Sequence, residues 1–314
     1  MDKTSVIFGN EMPKKVIKKA IKSKQKYVKK FGDDSNADYK FGLTNINALD
    51  FIGAKNVVFA DENTQLPKKA VIVGNIRMGF GHYRISIAMA SAAKALGYEP
   101  IWLDLASFDC TGSKMIRAQN DLYSMGSRLS QISKLFNHFV WEPMNKEGFK
   151  KISYNAVDQK NSENLVPIFR NIPKDTPYIA THVWPSQAAI HSGMTHVVNA
   201  IPDNWPMALH FAEGSVHTIQ CRNAYQGYRI LNGMNKKKVC KAMPEESLVY
   251  TGHYIDHELV SNIEADCAAR IARKEAGKPM RFLLTIGGAG AQKEIFAASI
   301  LCDILAGSND SPTE

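Results

Sequence analysis

Residues 70–97, AVIVGNIRMGFGHYRISIAMASAAKALG, set a strand, a glycine-bearing loop and a helix in immediate succession. The apolar, β-branched run Ala70–Val73 predicts a parallel strand covered on both faces. The loop from Asn75 to His82 follows. An Ala-rich helix over about 83–96 then closes at Gly97. A chain built this way folds as an α/β parallel sheet, and such a loop turns backbone N–H groups toward an anion. Gly79 and Gly81 permit positive φ and close backbone approach, and they serve equally well in a plain strand-to-helix turn. His82 stands where loop becomes helix, at the carboxyl end of a strand, where sheets of this kind bind ligands.

The same rhythm returns downstream. A strand Tyr178–Ala180 runs into Thr181-His182-Val183-Trp184-Pro185, with Pro185 suited to a first helical turn. A strand His196–Ile201 runs into Pro202-Asp203-Asn204-Trp205-Pro206, with His210 seven residues beyond Asp203. An acidic residue and a histidine at strand ends serve proton transfer; turn formation by Asp203 and structural hydrogen bonding by His182 or His210 are the alternatives. A strand His217–Cys221 precedes a helix Asn223–Gly233. The strand Leu248–Tyr250 ends in Thr251-Gly252-His253-Tyr254-Ile255-Asp256, followed by a helix over 257–275. Last come the strand Arg281–Ile286 and the loop Gly287-Gly288-Ala289-Gly290-Ala291, then a helix over 292–306 and a polar tail.

Between these units the pattern is helical. Residues 113–141 carry Met115, Ile116, Leu122, Tyr123, Met125, Leu129, Ile132, Leu135, Phe136, Phe139 and Trp141, more apolar surface than one buried face requires. Most of the stripe reads as core, and the rest suits an apolar acceptor groove. A further helix is expected near 156–171, a short apolar helix near 44–52 and a strand over Asn56–Ala60.

Charge is concentrated at the start. The net charge is +9, and residues 1–31 hold ten lysines against Asp2 and Glu11, a local balance of +8. The rest is close to neutral, so the basic total describes one segment and not a nucleic-acid-binding domain. Residues 13–31 read as a helix begun by Pro13, with Val16, Ile17, Ala20, Ile21, Tyr27, Val28 and Phe31 on one arc and Lys24 interrupting it. Such a helix lies on an anionic membrane surface, adding adhesion rather than fold, or docks on its own domain with its lysines in water. No apolar run reaches the roughly 18 residues that span a bilayer, and the start lacks the layout of a signal peptide. Cys110, Cys221, Cys240, Cys267 and Cys302 are scattered and odd in number, which implies neither zinc nor a disulfide framework and suits a reducing cytoplasm.

Four of these stretches together resemble GT-B type glycosyltransferases: Gly79-Phe80-Gly81-His82, Thr181–Pro185, Thr251–Asp256 and Gly287–Ala291. The chain looks most like the monogalactosyldiacylglycerol synthases and the transferase that adds N-acetylglucosamine to the peptidoglycan lipid precursor. Pro202–His210 is similar to the Thr-Asp-Phe…His segment of the same families with different spacing, and His253-Tyr254 replaces their usual small residue and proline. The resemblance covers about residues 70–300. It implies a basic amino-terminal helix and extension over 1–69, an acceptor-side Rossmann-like domain with helices on both faces and a connector helix over 70–278, and the first βα unit of an incomplete donor domain over 279–314.

It further implies sugar transfer from a nucleotide diphosphate sugar to an acceptor hydroxyl, on a lipid or otherwise, with no required metal and no cofactor beyond that donor, in the cytoplasm or peripherally on the inner membrane face, by a chain expected to be incomplete for catalysis alone. By that correspondence His82 is the general base and Asp203 the runner-up. Gly79, Phe80, Gly81, Thr181, His182, Trp184 and His210 bind acceptor or phosphate, and Gly287, Gly288, Gly290 and Ala291 bind the donor. A nucleotide-sugar 2-epimerase and a non-catalytic acceptor-binding subunit are the rival readings.

Overall fold

The computed structural model describes residues 3–279 apart from 237, and the separate positions 281, 283, 297, 298, 300 and 302. The expected last βα unit, with Gly287, Gly288, Gly290 and Ala291, lies outside the described residues.

A small antiparallel pair, β1 (Val6–Ile7) and β2 (Asn10–Glu11), precedes α1 (Lys14–Phe31). Then follow β3 (Lys40–Asn45), a 3₁₀ turn Asn47–Ile52, β4 (Lys55–Ala60), β5 (Ala70–Asn75), α2 (Phe80–Ala95) and β6 (Glu99–Asp104). A helical stretch comes next: α3 (Thr111–Ile132), the single turn α4 (Lys134–Phe136), α5 (Ile152–Ser162) and α6 (Val166–Phe169). The chain continues through β7 (Tyr178–Ala180), α7 (Val183–His191), β8 (Val197–Ala200), β9 (Val216–Ile219), α8 (Arg222–Arg229), β10 (Leu248–Tyr250), α9 (His257–Ser261) and α10 (Ile263–Glu275).

Among the described residues, eight strands form one sheet in the order β10-β9-β8-β7-β5-β6-β4-β3, parallel throughout except for β3. All six residues of β5 are buried, as a central parallel strand requires. From β5 the chain steps to β6 on one side and then returns to β7 on the other. Right-handed crossovers therefore put α2 on one face and α3 to α8 on the other. The core follows this division. Ile72, Ile101 and Leu103 pack with Phe169 and Tyr178, while Val73 and Trp102 pack with Ile87, Ala90, Leu49 and Ile52 on the α2 face. The order reverses between β5 and β7, so their carboxyl ends border the crevice of a doubly wound sheet. Gly74 makes this joint possible, because a Cβ there would overlap the Tyr178 hydroxyl.

Several expectations change in detail. The sheet takes in β3 as well as the strand expected over Asn56–Ala60, and β3 occupies the start of the expected short helix near 44–52. The long pattern over 113–141 breaks at Ser133, whose backbone is extended and whose Oγ accepts from Phe136 N at 3.2 Å. Two π-helical turns, Asn137–Trp141 and Met144–Gly148, follow. The helix expected near 156–171 begins earlier, at Ile152, and the one over 257–275 is interrupted at Asn262.

Helix α1 is docked rather than added for adhesion alone. Ala20 is fully buried, Val16 and Ile17 pack against the core around Phe8 and Ile152, and Tyr27 packs against the main core. Lys24, the interruption in the apolar arc, pairs with Glu163 at 2.8 Å. Most of the arc thus packs on the fold, Ile21 staying exposed, and the lysines on the other side remain outward.

Candidate functional site

Residues from β5, β7 and β8 meet at the carboxyl edge. Gly79, with φ +78°, turns the chain from the β5 loop into α2 and occupies its N-cap position. No side chain caps the helix, and its first turn holds no acidic residue, so the N–H groups there are unanswered within α2. A Cβ at Gly79 or Gly81 would meet nothing within 4 Å, and Phe80 is 71% exposed. The first turn of α2 therefore opens to the crevice. At its base Asn75 is fully buried with both side-chain polar atoms unpartnered. Arg77 Nε holds Asp104 Oδ2 at 2.7 Å across the same loop, and burial raises that carboxyl above its ordinary value.

His82 is half-buried in the first turn of α2. Its Nδ1 lies 2.6 Å from the Thr181 carbonyl oxygen. A carbonyl only accepts, so Nδ1 carries the hydrogen and Nε2 carries the lone pair. Burial, ahead of every other influence, pushes the His82 imidazole below its ordinary value and keeps it neutral near pH 7. Ser86, one turn along α2, donates to the His82 carbonyl at 2.9 Å and stands 2.9 Å from Thr181 Oγ1. Thr181 Oγ1 is itself 3.1 Å from the His82 carbonyl.

His182 is buried behind His82. The two rings meet edge-to-face with centroids 4.9 Å apart. Its Nδ1 accepts from Trp184 N at 3.2 Å and so caps α7, which leaves the hydrogen on Nε2 in the neutral ring. Burial, then the positive charge of His82 and His210 when protonated, holds His182 well below the ordinary imidazole value. The two imidazoles thus stand in opposite tautomers, one offering a lone pair at Nε2 and the other an N–H there.

From the β8 side, His210 Nε2 lies 3.1 Å from Asp203 Oδ2, with the carboxylate about half exposed and the imidazole buried. His210, as hydrogen-bond partner, lowers Asp203 below the usual carboxylate range. Both residues act electrostatically on His82. A buried network fixes the arrangement: Ser186 Oγ donates to Asn199 Oδ1 at 2.8 Å, and Asn199 Nδ2 donates to the His210 carbonyl at 2.6 Å.

The fold therefore gathers His82, Thr181, His182, Asp203 and His210 at one edge. Gly79, Phe80 and Gly81 form its open rim. Thr181, His182, Trp184 and His210 are buried and support the rim from beneath rather than line it. Ser86, Ser186 and Asn199 were not singled out in the sequence; the only trace of Ser86 is its place one turn after His82. A separate groove lined by Gln65, Pro67, Ala70, Pro173, Thr176 and Pro177 lies at the opposite, amino-terminal end of β5 and β7. Among the described residues no cluster of His, Cys, Asp and Glu has the arrangement to hold a metal ion. None of their helices is long and apolar enough to cross a membrane.

Residues 6–230 match the family model described as a domain of unknown function, DUF6937, and residues 243–306 match a second, DUF6938. The two part between α8 and β10, although β10 completes the sheet of the first. No curated protein and no solved structure matches the chain.

Proposed function

The chain belongs to the DUF6937 family, whose description assigns no activity, and from the site itself we propose that it transfers a sugar from a nucleotide diphosphate sugar to an acceptor hydroxyl, with His82 taking the acceptor proton. The observation that carries this is the 2.6 Å contact of His82 Nδ1 with the Thr181 carbonyl. It commits the ring to the tautomer whose Nε2 accepts a proton, and burial keeps that atom unprotonated near pH 7. Asp203 is the weaker base, because a carboxylate held below its usual range gives up little on staying ionised. The open first turn of α2, with Gly79, Phe80 and Gly81, supplies N–H groups for a phosphate or for developing negative charge.

The acceptor is read as apolar in part. Leu122, Met125, Leu129, Ile132, Leu135 and Phe139 are all exposed on α3 and the turns after it. Tyr123 of the same stretch feels the Asp203 charge and packs on Trp141 with ring centroids 5.1 Å apart. An apolar surface thus leads to the proposed base, as a lipid acceptor requires. The outward lysines of α1 are the proposed contact with an anionic membrane surface.

The test is a panel of nucleotide diphosphate sugars, with binding and transfer to lipid and soluble acceptors both measured. His82→Ala is expected to lower kcat by ~10²–10⁴ with donor affinity nearly unchanged. Full turnover in a variant with a lowered melting temperature removes His82 from the chemistry. Binding of none of the donors ends the sugar-transfer reading, and a 2-epimerised sugar as product moves it to the epimerase class.

A further inference from the structure

The loop between β5 and α2 has two neighbours. On the β7 side His82 meets Thr181; on the β6 side stands Arg77. Arg77 Nε lies 2.7 Å from Oδ2 of Asp104, the last residue of β6. Asp104 is buried and its Oδ1 accepts from Ala106 N at 3.0 Å, so the carboxyl is a fixed anchor. The guanidinium also lies over the ring of Tyr83, with Cζ 6.0 Å from the centroid. Tyr83 sits in the first turn of α2 and rests edge-to-face on Trp102 at 5.5 Å. Two contacts thus hold the Arg77 head beside that turn. The side chain is still 68% exposed, and its two Nη groups have no partner among the described residues.

Asn75 ends β5 beneath the same turn. Val73 packs with Ile87 and Trp102 on the α2 face, and strand alternation puts the Asn75 side chain on that face too. It is fully buried, and neither Oδ1 nor Nδ2 has a partner among the described residues. Leaving such an amide unpaired is costly, and a bound group that supplies a partner removes part of the cost. The uncapped first turn of α2 adds N–H groups with no partner inside the helix, beside the open Cβ positions of Gly79 and Gly81.

We propose that Arg77, Asn75 and the first turn of α2 bind a phosphate or diphosphate group, with Asp104 as the positioning residue for Arg77. This rests on the reading of the crevice as the substrate site, and it names the charged group that the substrate carries. The free Nη groups, the Asn75 amide and the helix N–H groups are more donors, on more sides, than the two oxygens of a carboxylate take up. A phosphate uses them, and the guanidinium fork matches its oxygens in pairs. Because Asp104 already holds Nε, Arg77 loses little side-chain freedom on binding. Two sources share this chemistry: the diphosphate of a nucleotide diphosphate sugar, and a phosphate carried by the acceptor.

The experiment is calorimetric titration of the full chain with inorganic pyrophosphate at low salt, without sugar or acceptor. The native chain is expected to bind. Arg77→Gln should weaken binding by roughly tenfold or more, and Arg77→Lys by less, since it keeps the charge and loses the fork. Asp104→Asn should weaken binding in the native background and add nothing in Arg77→Gln; an equal further loss there overturns its positioning role. Asn75→Val should weaken binding about fivefold while the melting temperature holds or rises, because it removes a buried amide without partners. A native chain that binds no pyrophosphate, or unchanged affinity in Arg77→Gln, overturns the proposal. Where one variant does not fold, the others decide. Uridine and adenosine diphosphates and octyl phosphate then separate the sources. Tighter binding of a nucleoside diphosphate, lost in Arg77→Gln, assigns the site to the donor; tighter binding of octyl phosphate, lost likewise, assigns it to the acceptor. Arg77-dependent pyrophosphate binding without sugar transfer keeps this site and ends the transfer reading. Transfer with KM untouched in Arg77→Gln does the reverse.

Discussion

His82 Nδ1 lies 2.6 Å from the backbone oxygen of Thr181, joining the first turn of α2 to the end of β7. The contact bridges the two strands between which the sheet reverses its order. It decides which nitrogen of His82 carries the hydrogen in the neutral ring and leaves the lone pair on Nε2.

Asp203→Asn should therefore cost less turnover than His82→Ala. The substitution leaves His82 Nε2 in place and removes only a neighbouring charge that favours its protonated form. Steady-state kinetics on both variants make the comparison; a larger loss for Asp203→Asn exchanges their roles.

Two glycines should behave in opposite ways. Gly74→Ala forces a methyl into the Tyr178 hydroxyl at the centre of the sheet and should destabilise by about 1–3 kcal/mol in urea unfolding. Gly81→Val places its side chain in open space on the crevice side, so the fold should stay within a few degrees of native while ligand binding falls. Unchanged ligand affinity in Gly81→Val would move the binding surface away from the first turn of α2.

Stability should fall in mild acid, and His217 is one contributor whose size can be worked out. Its Nδ1 lies 3.0 Å from the Ser247 carbonyl, and its Nε2 accepts from Ala212 N at 3.0 Å. Burial lowers it to about 4. The unfolded chain takes up a proton below roughly pH 6.5, and the folded chain resists until about 4. The neutral ring's contribution is thus complete above pH 6.5 and is lost as pH falls to 4, on the order of 3 kcal/mol. His82 and His182 act in the same direction. Chemical denaturation from pH 7.5 to 4 measures the slope; His217→Gln should flatten it.

Deleting residues 1–31 should destabilise the protein strongly, because α1 contributes Val16, Ile17, Ala20 and Tyr27 to packing. The lysine row is separable from this. Lys14, Lys15, Lys18, Lys19 and Lys22 line a shared outer groove, and replacing them with glutamine should preserve the melting temperature while weakening flotation with anionic vesicles. Equal flotation by native and substituted protein would remove the membrane from the reading of this helix.

Local pattern alone determined the strand-loop-helix at 70–97 and the strands β7 and β10. In each a short apolar run meets a glycine, histidine or proline punctuation, and backbone preferences act within a few residues. It also placed His82, Thr181, His182 and Asp203 at strand ends. It did not separate rim from support. Thr181, His182 and His210 are buried in the folded chain, and the tautomer of His82 is set by the Thr181 carbonyl, 99 residues away in the chain. The basic helix shows the same division. The lysine-rich sequence specified an amphipathic α1, but the pairing of Lys24 with Glu163 and the packing of Tyr27 decided that its apolar arc faces the core. The stripe over 113–141 shows it too, since Met115 and Ile116 are buried while Leu122, Met125, Leu129 and Ile132 of the same helix face outward where periodicity alone would bury part of them. Propensity is a property of neighbours in the chain; exposure, protonation and mutual geometry belong to neighbours in space, and for this protein the proposed chemistry depends on the second kind.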